Sequence, residues 1–490
     1  MRLAMCMLSG EVLKMASEEM LSVGIDIGTS TTQVIFSKLT MENTASYFSV
    51  PRVSIVDKEL VYQSRIYRTP LRDRIFLDGE GIGEIVAKEF DSAGVSPSDT
   101  RTGAVIITGE SARKENASIV LEQLSGFAGE FVVSTAGPDL EAIVAGKGSG
   151  AQQYAKVNGC YTANLDIGGG TSNIVLFAPD GRTVAKGCLD IGGRQICLSS
   201  EWTVTYCSPS ARCIAESLGL QLSEGLPASP ADVRQVCQRM AQLLEQLLLG
   251  EESPLLHKIQ TAGSSQFVPP YPVQAVCFSG GVADCIRHSG QDALQYGDIG
   301  VLLGQAIRES GLFQRFRMVD AQETIRATVV GAGSYTTSVS GSTITYDPGL
   351  LPQKNLPVLK LTDREQTRCI QGDWMILNER IAWFMKQTDS RRFLLALPGK
   401  ADPSYEEIRQ LADALSRACE QALYPEEALF LAVERDMAKA LGQQIRLRSP
   451  KRGLVVIDSV QLEQNDYLDM GRPVVDGLAI PVVVKTLIFG

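Results

Sequence analysis

Histidine is nearly absent from this chain, which carries only His257 and His288 in 490 residues. A catalytic triad built on imidazole, or a zinc site of the His-Glu-x-x-His kind, therefore has almost nothing to draw on. Cysteine occurs eleven times but never as a Cys-x-x-Cys pair, and no secretory signal opens the sequence. Such an odd, unpatterned count reads as reduced thiols in a cytosol. No run of eighteen apolar residues occurs, so no membrane-spanning helix is expected. Positive charge is not in excess: the formal net charge is -10, and basic residues are scattered apart from the short run Arg446, Arg448, Lys451 and Arg452. Nothing in that balance suggests nucleic acid as a partner. The phosphate loop Gly-x-x-x-x-Gly-Lys-Ser/Thr is missing, as is a Gly-x-Gly-x-x-Gly opening a helix after the first strand.

What is there is an ordinary folded composition, 44% hydrophobic and 21% charged, in a length that suggests roughly three modules. One pattern is written twice. GIDIGTSTTQVIF, Gly24 to Phe36, returns as LDIGGGTSNIVLF, Leu165 to Phe177, with Asp26 aligned to Asp166. Each copy reads as a strand, a tip of glycine and small hydroxyl residues, and a second strand. Such a tip lets backbone N–H groups approach an anion that bulkier side chains would fend off. An aspartate at the end of the leading strand repels phosphate but holds a magnesium ion with its waters. Two such hairpins facing one another would grip a polyphosphate and its metal from both sides.

Between the copies the spacing predicts extended segments near Val50–Val61 and Ile75–Leu77, a helix over Glu80–Phe90, the buried strand AVIIT at Ala104–Thr108, and a helix over Ser111–Gly126. A short strand at Phe131–Ser134 follows, then AGPDLEAIVAGKGSGA, Ala136–Ala151, with a proline near a helix start and a glycine-rich end. After the second copy come AKGCLDIGG, Ala185–Gly193, a strong amphipathic helix over Ser229–Leu249, and VCFSGGVADCI, Val276–Ile286, a strand that turns through Gly280-Gly281 into a helix. Glycines there keep Cβ atoms away from a nucleoside. Thr324–Val330, Arg392–Leu397, Leu454–Asp458 and Ile480–Phe489 read as strands of a further module. Cys188, Cys197 and Cys277 read as core fillers, and both histidines as surface or helix-end residues.

The series GIDIGTST, AGPDLEAIVAG, LDIGGGTSNI and CFSGGVADCI resembles, in order and spacing, the phosphate, connecting-helix and adenosine segments of the actin, heat-shock chaperone and sugar kinase superfamily. Within it, ITGESARKENA (Ile107–Ala117), STAGPDLEAIVAGKGSGA (Ser134–Ala151), TIRATVVGAGSYTTSVSG (Thr324–Gly341) and MGRPVVDGLAIPVVVKTLIF (Met470–Phe489) resemble the ethanolamine ammonia-lyase reactivating proteins from Ser22 onward. The implied fold is α/β: a duplicated actin-like, ribonuclease H-like ATPase core of two lobes at 21–160 and 161–310, with an additional C-terminal α/β module at 311–490. Residues 1–20 read as a disordered leader, with a weakly amphipathic helix through Leu3, Met7, Leu8 and Leu13 as the alternative.

The resemblance implies a slow ATPase that acts as a chaperone. With ATP and Mg²⁺ it releases damaged cobalamin from inactivated ethanolamine ammonia-lyase, so that intact adenosylcobalamin enters. The cobalamin need not touch this chain, and neither nucleic acid nor membrane is an expected partner. It also implies a cytoplasmic location, with a bacterial microcompartment as the setting of the family's pathway. Asp26 and Asp166 would hold the Mg²⁺ waters. Gly28, Thr29, Ser30 and Thr31 would bind one side of the phosphates and Gly168, Gly169, Gly170 and Thr171 the other, extended by Gly192 and Gly193. Gly280, Gly281 and Asp284 would line the nucleoside pocket. For the residue that orients water, Gly137 or Pro138 stands where related chaperones carry an acid, which leaves Asp139 as the nearest carboxylate and Glu110 as a second candidate. This departure implies slow turnover or switching driven by binding. A small-molecule kinase of the sugar-kinase branch and an actin-like scaffold remain as alternatives.

Overall fold

The computed structural model describes residues 17–486 apart from 46–52, 74–75, 110, 112–113, 126–131, 136, 289, 336, 342, 389 and 465. Most of the leader, and Glu110, thus lie outside the described residues. The chain forms two compact units. One takes the described residues up to Met20, Lys38–Lys58 and Ser338–Val482; the other takes Leu21–Ser37, Glu59–Thr337 and the residues from Val483 onward. Neither unit is a continuous stretch of chain, and the boundary expected at 311 falls inside the larger one.

A first sheet contains β1 (Ser17–Ile27), β2 (Thr31–Asn43), β3 (Val53–Gln63), β4 (Thr100–Ile107) and β5 (Val132–Thr135), in the order β3-β2-β1-β4-β5. Helix α1 (Pro138–Gly148) then leads into a second sheet. Its strands are β6 (Thr162–Ile167), β7 (Ser172–Phe177), β8 (Thr183–Leu189), β9 (Ala275–Ser279) and β10 (Arg317–Val319), in the order β8-β7-β6-β9-β10. Numbered within each sheet, both orders are 3-2-1-4-5. In both, the fourth strand runs parallel to the first and to the fifth. The repeated hairpin is therefore the start of a repeated ribonuclease H-like sheet, and the same position in each copy holds Asp26 or Asp166.

Local chemistry sets the helices around these sheets. The amphipathic helix Pro230–Leu248 starts where the Ser229 side chain accepts from the Ala231 N–H and a proline occupies the first turn. Its Val233, Val236, Met240, Leu243, Leu244 and Leu247 join the core of the second sheet. The expectation of a strand at Thr324–Val330 is corrected: Ala327–Tyr335 is a helix, α2. The β-branched run invited the strand reading, but the glycines of TVVGAG let this helix meet its neighbours backbone to backbone. A Cβ on Gly331 would lie 2.0 Å from the Val144 carbonyl oxygen, and one on Gly148 would lie 1.9 Å from that of Ala327. Packing overrides strand propensity here.

The smaller unit is built on an eight-stranded sheet. Four of its strands, β11 (Gln353–Lys360), β12 (Leu394–Leu397), β13 (Leu429–Val433) and β14 (Leu454–Asp458), run parallel in sequence order. Leu395, Leu397, Leu431, Val433, Leu454 and Val456 pack on the intervening helices, while Leu394, Phe430, Val455 and Ile457 are buried outside that cluster. Strands buried on both faces explain the unbroken apolar runs in the sequence. The described strand starts at Ser17, earlier than the expected end of the leader, because Met20 is buried with Leu39, Met41, Val53, Val474, Val475 and Ala479. Among the described residues no helix is long and apolar enough to cross a membrane.

Candidate active site

The two hairpin tips close in the same way. The Gly28 N–H donates to the Thr31 carbonyl at 2.8 Å, and the Gly168 N–H donates to that of Thr171 at 2.9 Å. Each tip is then fastened from behind. Thr69 Oγ1 at 2.7 Å and Ser111 Oγ at 3.0 Å both donate to the Gly28 carbonyl. On the second tip the Gly193 N–H donates to the Gly168 carbonyl at 3.0 Å, the Arg194 N–H to that of Gly169 at 2.7 Å, and Gln195 Nε2 to that of Gly170.

The tips meet around one cleft. A Cβ on Gly109 would lie 2.4 Å from Thr29 Oγ1 of the first tip and 4.0 Å from Thr171 Oγ1 of the second, and one on Gly169 would lie 3.1 Å from Ser30 Oγ. The cleft has a volume of about 620 Å³, within the usual range for a small-molecule site. Asp26, Gly28, Thr29, Ser30, Thr31, Asp166, Gly168, Gly169, Gly170, Thr171, Gly193, Gly280, Gly281 and Asp284 all line it. Gly192 lies behind the second tip instead, where a Cβ would fall 2.4 Å from the Gly169 carbonyl oxygen. Gly280 adopts φ +83°, and a Cβ there would fall 2.4 Å from the Ile167 carbonyl oxygen, so this turn demands glycine. Asp284 is steadied by Thr324 Oγ1 at 2.7 Å.

Asp139 does not line the cleft. Its carboxylate accepts from the Ser265 N–H at 2.9 Å and from Ser265 Oγ, with Lys186 Nζ at 3.3 Å, so it ties the start of α1 to a neighbouring loop. Two residues on, Glu141 is the acid that enters the cleft. Of two carboxylates spaced i and i+2 on a helix, only one can share a face with a given neighbour. That periodicity, counted from the proline start at Pro138, was the available signal. Glu141 is pushed well above the usual carboxylate range by burial, then by the charges of Asp166 and Asp26; the Gly109 N–H and the Asn173 amide oppose the shift.

Burial also raises Asp26 to about 7, against a hydrogen bond from Thr108 and with the charge of Asp166. Asp166 rises to about 6 through burial, opposed by hydrogen bonds from Ser279 and Thr328. Three buried acids, two of them raised further by the charge of Asp166, suit a divalent cation nearby. Among the described residues no group of three acidic, cysteine or histidine side chains converges for direct metal coordination. Buried carboxylates such as Asp26 and Asp166 could hold a magnesium ion through its waters, the mode Mg²⁺ prefers. Gln33 and Asn173, at matched positions of the two repeats, each bury a side-chain carbonyl oxygen without a hydrogen-bond partner.

The exposed ring of Tyr296 and the carboxylate of Asp298 also line the cleft. Burial raises Asp298, while the Gly300 N–H and the Arg194 charge pull it down. Sequence reasoning also missed Arg68 and Arg194, which bring positive charge to the lining. Cys188 and Cys277 are buried, Cys197 is half-buried, and both histidines are exposed.

Residues 18–490 match the family described as ethanolamine utilisation protein EutA. The ethanolamine ammonia-lyase reactivase EutA of Salmonella typhimurium LT2 is 35% identical over 479 residues, covering 97% of this chain and 100% of that protein. The reactivase of the same name from Escherichia coli K12 is also 35% identical, over 476 residues and with the same coverage. A solved structure of the Aquifex aeolicus PPX-GPPA enzyme aligns at 14% identity with a TM-score of 0.38, covering 64% of this chain and 99% of that one. With a family match that runs almost end to end, the chain belongs to the EutA family of ethanolamine utilisation proteins.

Proposed function

We propose that this chain is an ATP-dependent reactivating factor for ethanolamine ammonia-lyase, which frees the inactivated lyase of damaged cobalamin so that intact adenosylcobalamin can bind. One observation carries the nucleotide part of this reading: Asp26 and Asp166, at matched ends of the leading strands of two repeats, are buried in one cleft between glycine tips. Family membership supports the lyase as the partner.

In this reading the backbone of Gly28–Thr31 and of Gly168–Thr171 binds the phosphates, and Gly280, Gly281 and Asp284 receive the nucleoside. Asp26 and Asp166 orient the water shell of Mg²⁺, which supplies the positive charge that lets a polyphosphate lie among acids. Glu141 takes the role first given to Asp139 and orients the attacking water from the lining of the cleft. The nucleotide acts chiefly as a switch. It shifts the lyase only to the extent that the nucleotide-bound form binds the opened lyase more tightly than the closed one. No cobalamin ligand is needed on this chain. The reaction takes place in the cytoplasm, within the microcompartment that houses the lyase.

The test is reactivation of cyanocobalamin-blocked ethanolamine ammonia-lyase with this protein, with ATP, Mg²⁺ and adenosylcobalamin omitted in turn. Recovery is expected only with all three present. Full recovery without nucleotide, or none with all three, overturns the reading.

A further inference from the structure

Arg194 follows the Gly192-Gly193 turn and is anchored on the second hairpin, where its N–H donates to the Gly169 carbonyl at 2.7 Å. Its side chain does not stay there. Nη1 donates to Ser30 Oγ, on the tip of the first hairpin, at 3.1 Å. The aliphatic stem runs along Gly169, where a Cβ would fall 3.3 Å from Arg194 Cγ and Cδ and crowd it. One guanidinium thus connects the two tips across the cleft, and the bond to Ser30 uses one of its five N–H donors.

The charge of the lining gives this placement a purpose. Asp26, Glu141 and Asp166 are acidic, as are Asp284 and Asp298 toward the nucleoside end. Glycine tips offer dipoles but no net charge, and a nucleoside polyphosphate brings several negative charges of its own. Mg²⁺ offsets part of them. Of the lining residues, Arg68 and Arg194 supply the remaining cations, and Arg194 reaches between the tips. A planar fork is also the side chain best shaped for phosphoryl oxygens.

We propose that Arg194 is a phosphate-contacting residue of this cleft and a strap over the polyphosphate: anchored on the second tip and positioned by Ser30 of the first, its guanidinium bonds the phosphoryl oxygens and holds the two tips to one ligand. This rests on the reading of the cleft as a nucleotide site. Ser30 is a positioning residue in this arrangement, since it aims the guanidinium.

The test is calorimetric titration of the full chain with ATP, ADP and AMP in the presence of Mg²⁺, for the parent, Arg194→Ala, Arg194→Lys and Ser30→Ala, with melting temperatures measured alongside. Arg194→Ala is expected to lose about tenfold or more in ATP affinity, less for ADP and least for AMP, with an unchanged melting temperature. Arg194→Lys should recover part of the loss, because it restores charge without the fork, and Ser30→Ala should weaken ATP a few-fold. Unchanged ATP affinity in Arg194→Ala, or an equal loss for all three nucleotides, overturns the proposal while leaving the nucleotide site intact. A parent protein that binds none of the three overturns the nucleotide reading itself.

Discussion

Ser279 Oγ donates to Asp166 Oδ1 at 2.6 Å from the paired position of the neighbouring parallel strand, and Thr108 Oγ1, one residue past the end of β4, donates to Asp26 Oδ1 at 3.1 Å. Ser279 is itself held by Asn164 Nδ2 at 2.9 Å, so the hydroxyl has a fixed direction. Each acid is thus aimed by a hydroxyl, although the two hydroxyls reach their acids from different register positions. Each hydroxyl also opposes the rise in pKa that burial imposes on its acid, which favours the carboxylate form.

Ser279→Ala should therefore weaken Mg²⁺-dependent ATP binding by about tenfold, the worth of one charge-assisted hydrogen bond, and do so more at pH 6 than at pH 8, because an unassisted Asp166 is more readily protonated. Calorimetry at the two pH values checks this. Equal affinity of variant and parent at both would remove the role assigned to the hydroxyl.

Glu141 and Asp139 make a matched pair of controls. Glu141→Gln should bind ATP within a few-fold of the parent but release phosphate about 10²- to 10⁴-fold more slowly, the usual range for losing a general base. Asp139→Asn should keep its phosphate release per folded molecule and melt lower, since the change breaks the tie to Ser265 and Lys186. Single-turnover phosphate release and a melting curve on each variant decide the matter; exchanged phenotypes would return the role to Asp139.

Stability of the smaller unit should depend on pH through Asp458, at the end of β14. Burial raises its carboxyl from 3.8 to about 6, against a hydrogen bond from Thr343. Between those values the native state keeps a proton that the unfolded chain releases, so stability falls as pH rises through this window and the cost is complete above about 6. Asp458→Asn removes that cost. The variant should exceed the parent on the order of 2 kcal/mol at pH 7 and lose its advantage near pH 4, read from denaturant melts across the range. An advantage that grows as pH falls would contradict the sign.

The repeat, its two aspartates and the glycine tips were legible because each is a local pattern that the chain writes twice. Glu141 was missed because Asp139 lies nearer to the proline, and proximity in sequence outweighed helical phase. The helix at Ala327–Tyr335 was missed because TVVGAG has the composition of a strand; its glycines serve contacts with Val144 and Gly148, far away in the chain. Arg194 left no signal in any charge cluster. A single cation matters there because of where the turn at Gly192-Gly193 aims it, and that direction depends on bonds to the other hairpin.

The cluster that joins Met20, Leu39 and Met41 to Val474, Val475 and Ala479 has a consequence for how the protein is made. At about 5–20 residues per second, a ribosome needs on the order of twenty to ninety seconds to pass from one group to the other. Through that interval the earliest strands have emerged with their apolar partners not yet synthesised, and a nascent chain stopped short of Val474 keeps them uncovered. The last stretch of synthesis is thus the step that seals the first.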